Sequence, residues 1–301
     1  MVDGGSISGS ASTVECEELL DAHEPVRQGD VIEWLDGAGN PWRQHAIVVT
    51  ADCDIVHSKH QGSLATVPVL RYDEFLAAVV LPGKLRLAET NVRDRARAQI
   101  RTMQGRHRPD RPEPLADAAI DEWIAFEDAA AILRTLRAPA DERAGEFAEL
   151  VAWLRELPYV VGCVNLTNQL SALTRSRVLC GSKQSPETIR AALARENVER
   201  VKQLPGDALF LHSLGTSLAE GYIAYLRRVD SVAEASVALR SSDLADAGML
   251  ARRVSRLSSP YVYRLTQQLG QVFSSIGLPG SYESSRTRFI VEQSAALTET
   301  S

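Results

Sequence analysis

Five side chains that can bind metal ions or act as nucleophiles and bases lie within nine residues of this chain. They follow an apolar, β-branched stretch from Ala46 to Thr50, which predicts a strand. The five residues are Asp52, Cys53, Asp54, His57 and His60. The end of this strand is therefore the first place to expect a chemical site.

A divalent metal ion could bind this cluster in two ways. A zinc site would use Cys53, His57 and His60 with one aspartate, because thiolate, imidazole and carboxylate all suit tetrahedral Zn²⁺. The spacing of Cys53, His57 and His60 matches no standard zinc finger. A magnesium site would use Asp52 and Asp54, since residues two apart on an extended strand face the same side.

The same segment could instead catalyse a reaction. Cys53 would be the nucleophile, activated by a nearby histidine, His57, His60 or His45. The two flanking carboxylates disfavour the thiolate through like-charge repulsion, which works against this mechanism. The candidate catalytic residues are Arg43, Asp52, Cys53, Asp54 and His57.

A structural interpretation of the cluster competes with both chemical ones, and we favour it. Cysteine is among the residue types most often buried, so Cys53 is expected to be a small core residue at the strand end. Asp52 and Asp54 would stabilise the following turn through side-chain-to-backbone hydrogen bonds. His57 and His60 would then be exposed.

A second candidate site is the run from Arg86 to Arg111, which contains eight arginines. Arginine side chains of this kind contact phosphates in nucleic acids. The candidates for nucleic-acid binding are Arg93, Arg97, Arg101, Arg106 and Arg108. We favour the simpler interpretation, a solvated helix face followed by a loop rich in proline.

Composition restricts the class of protein. A net charge of −6 argues against a protein that coats nucleic acid. No apolar stretch reaches the roughly 20 residues that a membrane helix needs, and the N-terminus lacks the pattern of a signal peptide. The four cysteines are widely spaced, which predicts free thiols and a cytoplasmic protein. No Walker A or GxGxxG phrase indicates a nucleotide-binding loop.

The pattern of the chain predicts an α+β fold with β structure at both ends. Residues 25–71 and 204–280 are expected to form the β part with a C-terminal helix, and 72–203 a mainly helical insertion. In the insertion we expect one helix over 117–137 and another over 140–157, which Pro158 ends. Residues 1–24 and 281–301 are expected to be tails.

Short phrases at both ends of the chain carry a family resemblance. They are Gly29-Asp30-Val31-Ile32, the strand from Ala46 to Thr50 preceded by Arg43, Val67-Pro68-Val69, Arg227-Arg228-Val229-Asp230 and the stretch from Arg253 to Ser258. In this order they resemble the MazF/PemK toxins, small SH3-like β-barrels that cut RNA. The resemblance implies an SH3-like barrel assembled from both ends of the chain. It also implies a basic catalytic residue at Arg43, but Leu70-Arg71-Tyr72 stands where the family has a Ser or Thr.

A second resemblance concerns the cluster itself. The stretch from Val49 to Ile55 is similar to a V-[ST]-x-x-C-D-[IL] signature of uncharacterised bacterial proteins. Their C-terminal R-L-x-x-P-Y and G-L-P phrases have counterparts at 256–261 and 277–279.

Two functional hypotheses follow. The first is a non-catalytic binding or regulatory module of a bacterial stress or conflict system, with a protein partner. The second is an RNA- or DNA-cleaving hydrolase whose site lies in the groove between barrel and helical insertion. The hydrolase requires the Cys53 cluster to reach a concave surface near Arg43 or a histidine.

Overall fold

The computed structural model describes residues 16–17, 24–108, 113–139, 142–204, 206–215, 221–246, 248–274, 284–285 and 288–289. These residues form an α+β fold, as the sequence predicts. The strands are β1 (Cys16–Glu17), β2 (Asp30–Trp34), β3 (His45–Val48), β4 (Ser63–Arg71), β5 (Ala208–Leu211), β6 (Tyr222–Tyr225), β7 (Asp230–Ala233), β8 (Val237–Ala238) and β9 (Ala251–Leu257).

All the strands belong to one mixed sheet. Its order is β1-β9-β2-β3-β4-β6-β5, with β7 paired to β4 and β8 to β9. Every pairing is antiparallel except that of β8 with β9. Strands from the two ends of the chain are direct neighbours, as the sequence predicts. Among the described strands, β1 and β5 are opposite edges, so this sheet is open and does not close into a barrel.

The helices are α1 (Asp52–Val56), α2 (Tyr72–Phe75), α3 (Leu81–His107), α4 (Asp117–Phe126), α5 (Ala129–Leu136), α6 (Glu142–Gly162), α7 (Leu166–Leu179), α8 (Pro186–Lys202) and α9 (Ser259–Ser274). A π-helical turn, Leu76–Val80, joins α2 to α3. We call α2 to α8 the helical lobe. It lies between β4 and β5, within the stretch predicted as an insertion.

Two helix boundaries differ from the sequence predictions. The single helix predicted over 117–137 is wrong, because the chain leaves the helical conformation at Glu127 and Asp128. Asp128 then caps α5 by accepting a hydrogen bond from the backbone N–H of Ala131 at 2.6 Å. The predicted stop at Pro158 is also wrong, since α6 continues through this residue to Gly162. The helix after Ser185 is confirmed, with the Ser185 hydroxyl as its N-cap.

The apolar core consists of one part within the helical lobe and further parts against the sheet. One fills the helical lobe, to which α3 contributes a stripe of Leu85, Val92, Ala96 and Ile100, each 0% exposed. The other parts cover the two faces of the sheet. α9 packs on one face, and the apolar residues of β2 and β3 are buried on both sides of the sheet, with Val31 and Ile47 on one side and Ile32, Ala46 and Val48 on the other.

A buried ion network joins β2 to β9. Asp30 is fully buried, and its carboxylate accepts hydrogen bonds from Arg256 at 2.5 Å and Arg253 at 3.4 Å. The backbone N–H of Arg27 donates a further bond to Asp30 at 2.9 Å, and Arg256 also binds Glu24. Charged groups this deep need partners, and these contacts connect the two paired strands. We call it the Asp30 network.

The chain termini lie mostly outside the described residues. Cys16–Glu17 is an exception, because it forms β1 against β9 and Cys16 is 1% exposed. This part of the predicted tail 1–24 therefore belongs to the sheet. The 277–279 phrase and most of 281–301 lie outside the described residues, and α9 is described to Ser274. None of the helices in the described ranges combines the length and apolar character that crossing a bilayer requires.

Candidate functional site

The cluster after β3 folds as a short helix, α1, and not as an extended strand. Two acidic residues in its first turn, Asp52 and Asp54, favour the helix by opposing its dipole. Residues two apart on a helix point in different directions, so the predicted shared side of the two carboxylates is wrong. Asp52 instead accepts a hydrogen bond from the backbone N–H of Gln28 at 2.7 Å. This bond holds the turn before β2, 24 residues earlier in the chain, and not the turn after β3 that the sequence interpretation expected.

Cys53 is exposed, so the prediction of a buried core cysteine is wrong. Its thiol lies 3.7 Å from the carboxylate of Asp54. The side chain of His57 is also exposed, and no side-chain hydrogen bond joins it to Cys53 among the described residues. The Cys53 thiol is therefore accessible, but among the described residues no histidine contacts it and could act as its general base. Cys53, Cys163 and Cys180 are free thiols, as the sequence predicts.

His60 is the most constrained member of the cluster. Its side chain is only 5% exposed, although the sequence interpretation that we favoured places it on the surface. Nε2 lies 2.7 Å from the carboxylate of Glu234, and Nδ1 lies 3.2 Å from the backbone carbonyl of Asp54. The hydrogen bond with Glu234 raises the pKa of His60. Both ring nitrogens are thus engaged in holding the segment against the residues after β7.

The metal hypotheses gain no geometric support. Within the described ranges, no group of three His, Cys, Asp or Glu side chains converges in a way that could hold a metal ion. Cys53, His57 and His60 are close in sequence, but His60 points toward Glu234. Zinc or magnesium binding here stays a prediction.

Arg43 lies at the other end of β3 from α1. β3 has four residues, and a strand rises about 3.3 Å per residue, so roughly 13 Å of strand separates the two. The Arg43 guanidinium pairs with Asp36 at 3.3 Å and stacks 4.4 Å from the ring centroid of Trp34. The structure does not bring Arg43 together with the cluster, and the hydrolase assignment stays a prediction.

His45 also lies at that far end. It begins β3 and contacts Tyr222, with ring centroids 5.9 Å apart. Burial lowers the pKa of His45, so its neutral form is favoured. It is placed on the sheet face and cannot act as the base for Cys53.

The predicted nucleic-acid-binding arginines have two different environments. Arg93, Arg97 and Arg101 follow each other at four-residue intervals, so they share one face of α3. That face packs against α4, where Arg97 binds Asp121 at 2.5 Å and Arg101 binds Asp117. Intramolecular acids therefore neutralise these three arginines. They join two helices of the lobe.

Arg106 faces elsewhere. It is exposed and makes no ion pair with the residues that the structure describes. Arg108, one residue beyond α3, donates to the backbone carbonyl of Thr135 at 3.1 Å. Arg106 lines a cavity.

The cavity is a groove between the C-terminal half of α3, the start of α6 and the segment that follows α5. Its volume is about 290 Å³. We call it the lobe groove. Its lining includes Arg95, Gln99, Met103, Arg106, Pro139 and Glu146. Two guanidinium groups thus flank a partly apolar wall.

The polar groups of the lobe groove are incompletely satisfied. Gln99 donates through Nε2 to the carboxylate of Glu146 at 3.3 Å. A carboxylate only accepts hydrogen bonds, so this contact fixes the orientation of the amide. The Gln99 carbonyl oxygen is then buried with no partner among the described residues. Arg95 reaches Glu146 only at 4.0 Å.

The lobe groove could have been predicted from the spacing of residues along α3, although not from the number of arginines. Arg95, Gln99, Met103 and Arg106 recur at helical intervals, as do Arg93, Arg97 and Arg101. Acids at 117 and 121 fall in the next predicted helix and match the second stripe. Separating the run into two helix faces would have distinguished the paired arginines from the available ones.

Comparisons with protein-family models, curated proteins and solved structures give no match to this chain.

Proposed function

We propose that this chain is a non-catalytic binding or regulatory module whose helical lobe binds a small anionic ligand in the lobe groove. The observation that carries the proposal is Arg106, which lines the groove beside a partly apolar wall and makes no ion pair with the residues that the structure describes. Ligand sites are typically concave, mostly apolar and equipped with a few polar groups that fix orientation. An exposed guanidinium supplies affinity for a negative group.

The surroundings of the cluster after β3 favour the non-catalytic part of the proposal. Asp52 holds the backbone of Gln28, and His60 holds Glu234 and Asp54. These side chains are used to attach α1 to the sheet. These contacts give Asp52 and His60 a structural role that requires no catalysis.

The scaffold part of the proposal rests on the family resemblance. We propose that the sheet is a variant of the SH3-like barrel of MazF/PemK proteins, opened to receive the helical lobe. Within a bacterial stress or conflict system in the cytoplasm, ligand binding in the lobe would then be transmitted to a protein partner. Arg43 and α1 lie at opposite ends of β3, so they do not form one catalytic site. In this proposal the sheet is the scaffold that carries the helical lobe.

Anilinonaphthalene sulfonate is a suitable probe because it combines an anionic sulfonate with an apolar body. We expect its fluorescence to rise on binding to the protein. Arg106→Glu is expected to weaken its affinity about tenfold, since a lost charge-assisted hydrogen bond costs about 1.5–3 kcal/mol.

Arg86→Glu is the matched control. Arg86 is exposed on the same helix but does not line the lobe groove. It should leave the affinity unchanged, and circular dichroism verifies that both variants fold. Equal binding by wild type and Arg106→Glu would refute the lobe groove as the site.

A further inference from the structure

We propose that the ligand of the lobe groove is an aliphatic monocarboxylate with an unbranched chain. This inference rests on the proposed function, because it names the ligand class of the same site. The groove offers an exposed cation for a carboxylate, whereas the polar groups farther along its wall are already engaged within the protein. A ligand whose body makes no hydrogen bonds therefore suits the groove better than a sugar or a base.

The carboxylate end of the ligand is assigned to Arg106. This residue is exposed, lines the groove and makes no ion pair with the residues that the structure describes. A planar guanidinium presents parallel N–H groups that match the two oxygens of a carboxylate. The imidazole of His107 also lines the groove and can donate one further hydrogen bond to the same group.

The polar side chains farther from Arg106 are engaged with one another or with the backbone. The Thr102 hydroxyl donates to the backbone carbonyl of Ala98 at 2.8 Å. The Gln99 amide donates to the Glu146 carboxylate at 3.3 Å, and the Gln99 carbonyl oxygen is enclosed, out of reach of a ligand in the groove. A sugar or a base buried here would lose hydrogen bonds to water and gain few in return, which costs free energy.

The wall that would contact the ligand body is aliphatic. It is formed by Ala98, Met103, Ala138 and Pro139, and none of the described lining residues is Phe, Tyr or Trp. Met103 and Ala138 pack against the apolar core of the lobe, so the wall is continuous with that core. An unbranched, flexible methionine side chain adapts well to an unbranched chain beside it.

The shape of the groove and its far end favour a chain with a single charge. Along α3 the lining extends from Arg95 to Arg106, about 16 Å at a rise of about 1.5 Å per residue. A volume of about 290 Å³ over that length makes the groove narrow, as an extended chain requires. At the far end Glu146 lies 4.0 Å from Arg95, so a second carboxylate on the ligand would meet an arginine that already has an acidic neighbour.

Isothermal titration calorimetry of the full chain tests the proposal, and displacement of anilinonaphthalene sulfonate shows whether each ligand occupies the same site. From butanoate to octanoate we expect the affinity to rise about twofold to fourfold per methylene group, the upper value being that for full burial. Octanol lacks the charge, octanedioate adds a second one, and ribose phosphate has a polar body. Each of the three should bind at least tenfold more weakly than octanoate.

Two variants test the two ends of the assignment. Arg106→Ala should weaken octanoate at least tenfold and leave the weaker binding of octanol unchanged. Met103→Gln should weaken octanoate more than butanoate, so that the dependence on chain length becomes shallower. Leu87→Gln is the matched control, because Leu87 is 66% exposed on α3 and does not line the groove. It should leave the affinity for octanoate unchanged, and circular dichroism verifies that all variants fold.

Each contrary outcome has a defined meaning. Equal affinity for octanoate and ribose phosphate would overturn the proposal by showing that only the anion is recognised. Octanol binding as tightly as octanoate would overturn the role of Arg106 in it. No binding of any aliphatic acid, with anilinonaphthalene sulfonate still bound in an Arg106-dependent way, would overturn the ligand class and leave the proposed function intact. Loss of both would refute the lobe groove as a ligand site.

Discussion

At the scale of single residues, surroundings and not residue type decide what each side chain of the cluster can do. His57 and His60 are three residues apart, yet His57 is exposed while the His60 side chain is 5% exposed. The difference arises because β7 pairs with β4 and is followed by Glu234, which reaches His60. A contact between residues 174 positions apart is not visible in a local pattern.

The contact between His60 and Glu234 predicts a pH dependence of stability. Glu234 raises the pKa of His60 above its ordinary value of 6.5, so protons bind the folded state more tightly than the unfolded one. The contribution is therefore fully present below about 6.5 and is lost as the pH rises through the higher folded value. The groups facing the ring are Glu234 and Asp54, and Lys59 lies near Asp54.

Urea unfolding from about pH 5 to about pH 9 would measure this effect. The stability difference between wild type and His60→Gln should shrink as the pH rises. His57→Gln is the matched control and should follow wild type throughout. A difference that stays constant or grows with pH would contradict the assignment.

At the scale of elements, the spacing of apolar residues predicted most of the helices and strands. It did not predict which strands pair or which helices pack together, because those contacts join residues that are distant in the sequence. Ser185 and Pro186 predict the start of α8 correctly because capping depends on a few adjacent residues. The break at Asp128 is local too, but the apolar stripe across it suggested one helix. α1 could not be predicted, because a five-residue helix has no periodicity to detect.

The packing of α3 on α4 predicts that Asp121 is structural. Hydrogen bonding by Arg97 lowers the pKa of Asp121, and the Arg97 side chain is only 19% exposed. Asp121→Ala should lower the free energy of unfolding by about 1–2 kcal/mol, a value reduced for partial exposure. Asp94→Ala, which removes the more exposed partner of the same arginine, should cost less than about 0.5 kcal/mol. Thermal and urea unfolding would measure both, and equal losses would contradict the helix-joining role.

At the scale of the whole molecule, the sheet depends on pairing between the two ends of the chain. β2 lies between β3 and β9, and the helical lobe is inserted between β4 and β5. Loop-closure entropy grows slowly with length, so the sheet tolerates such an insertion. The pattern of the chain predicted β structure at both ends, but it did not predict which strands would be neighbours. Whether the sheet closes depends on long-range curvature, which short phrases do not encode.

The Asp30 network should be the main polar constraint on this long-range pairing. Asp30→Ala would leave Arg253, whose side chain is 1% exposed, as an unpaired buried charge, and Nε and Nη2 of Arg253 already lack partners among the described residues. We expect a loss of about 3–5 kcal/mol in the free energy of unfolding, measured with urea. Glu33→Ala is the matched control, because Glu33 pairs with Arg252 at 2.6 Å across the same two strands but nearer the surface. It should cost less than about 1 kcal/mol. Asp30→Asn, which keeps the shape without the charge, should lie between the two, and an Asp30→Ala effect as small as that of Glu33→Ala would show that apolar packing alone holds the ends together.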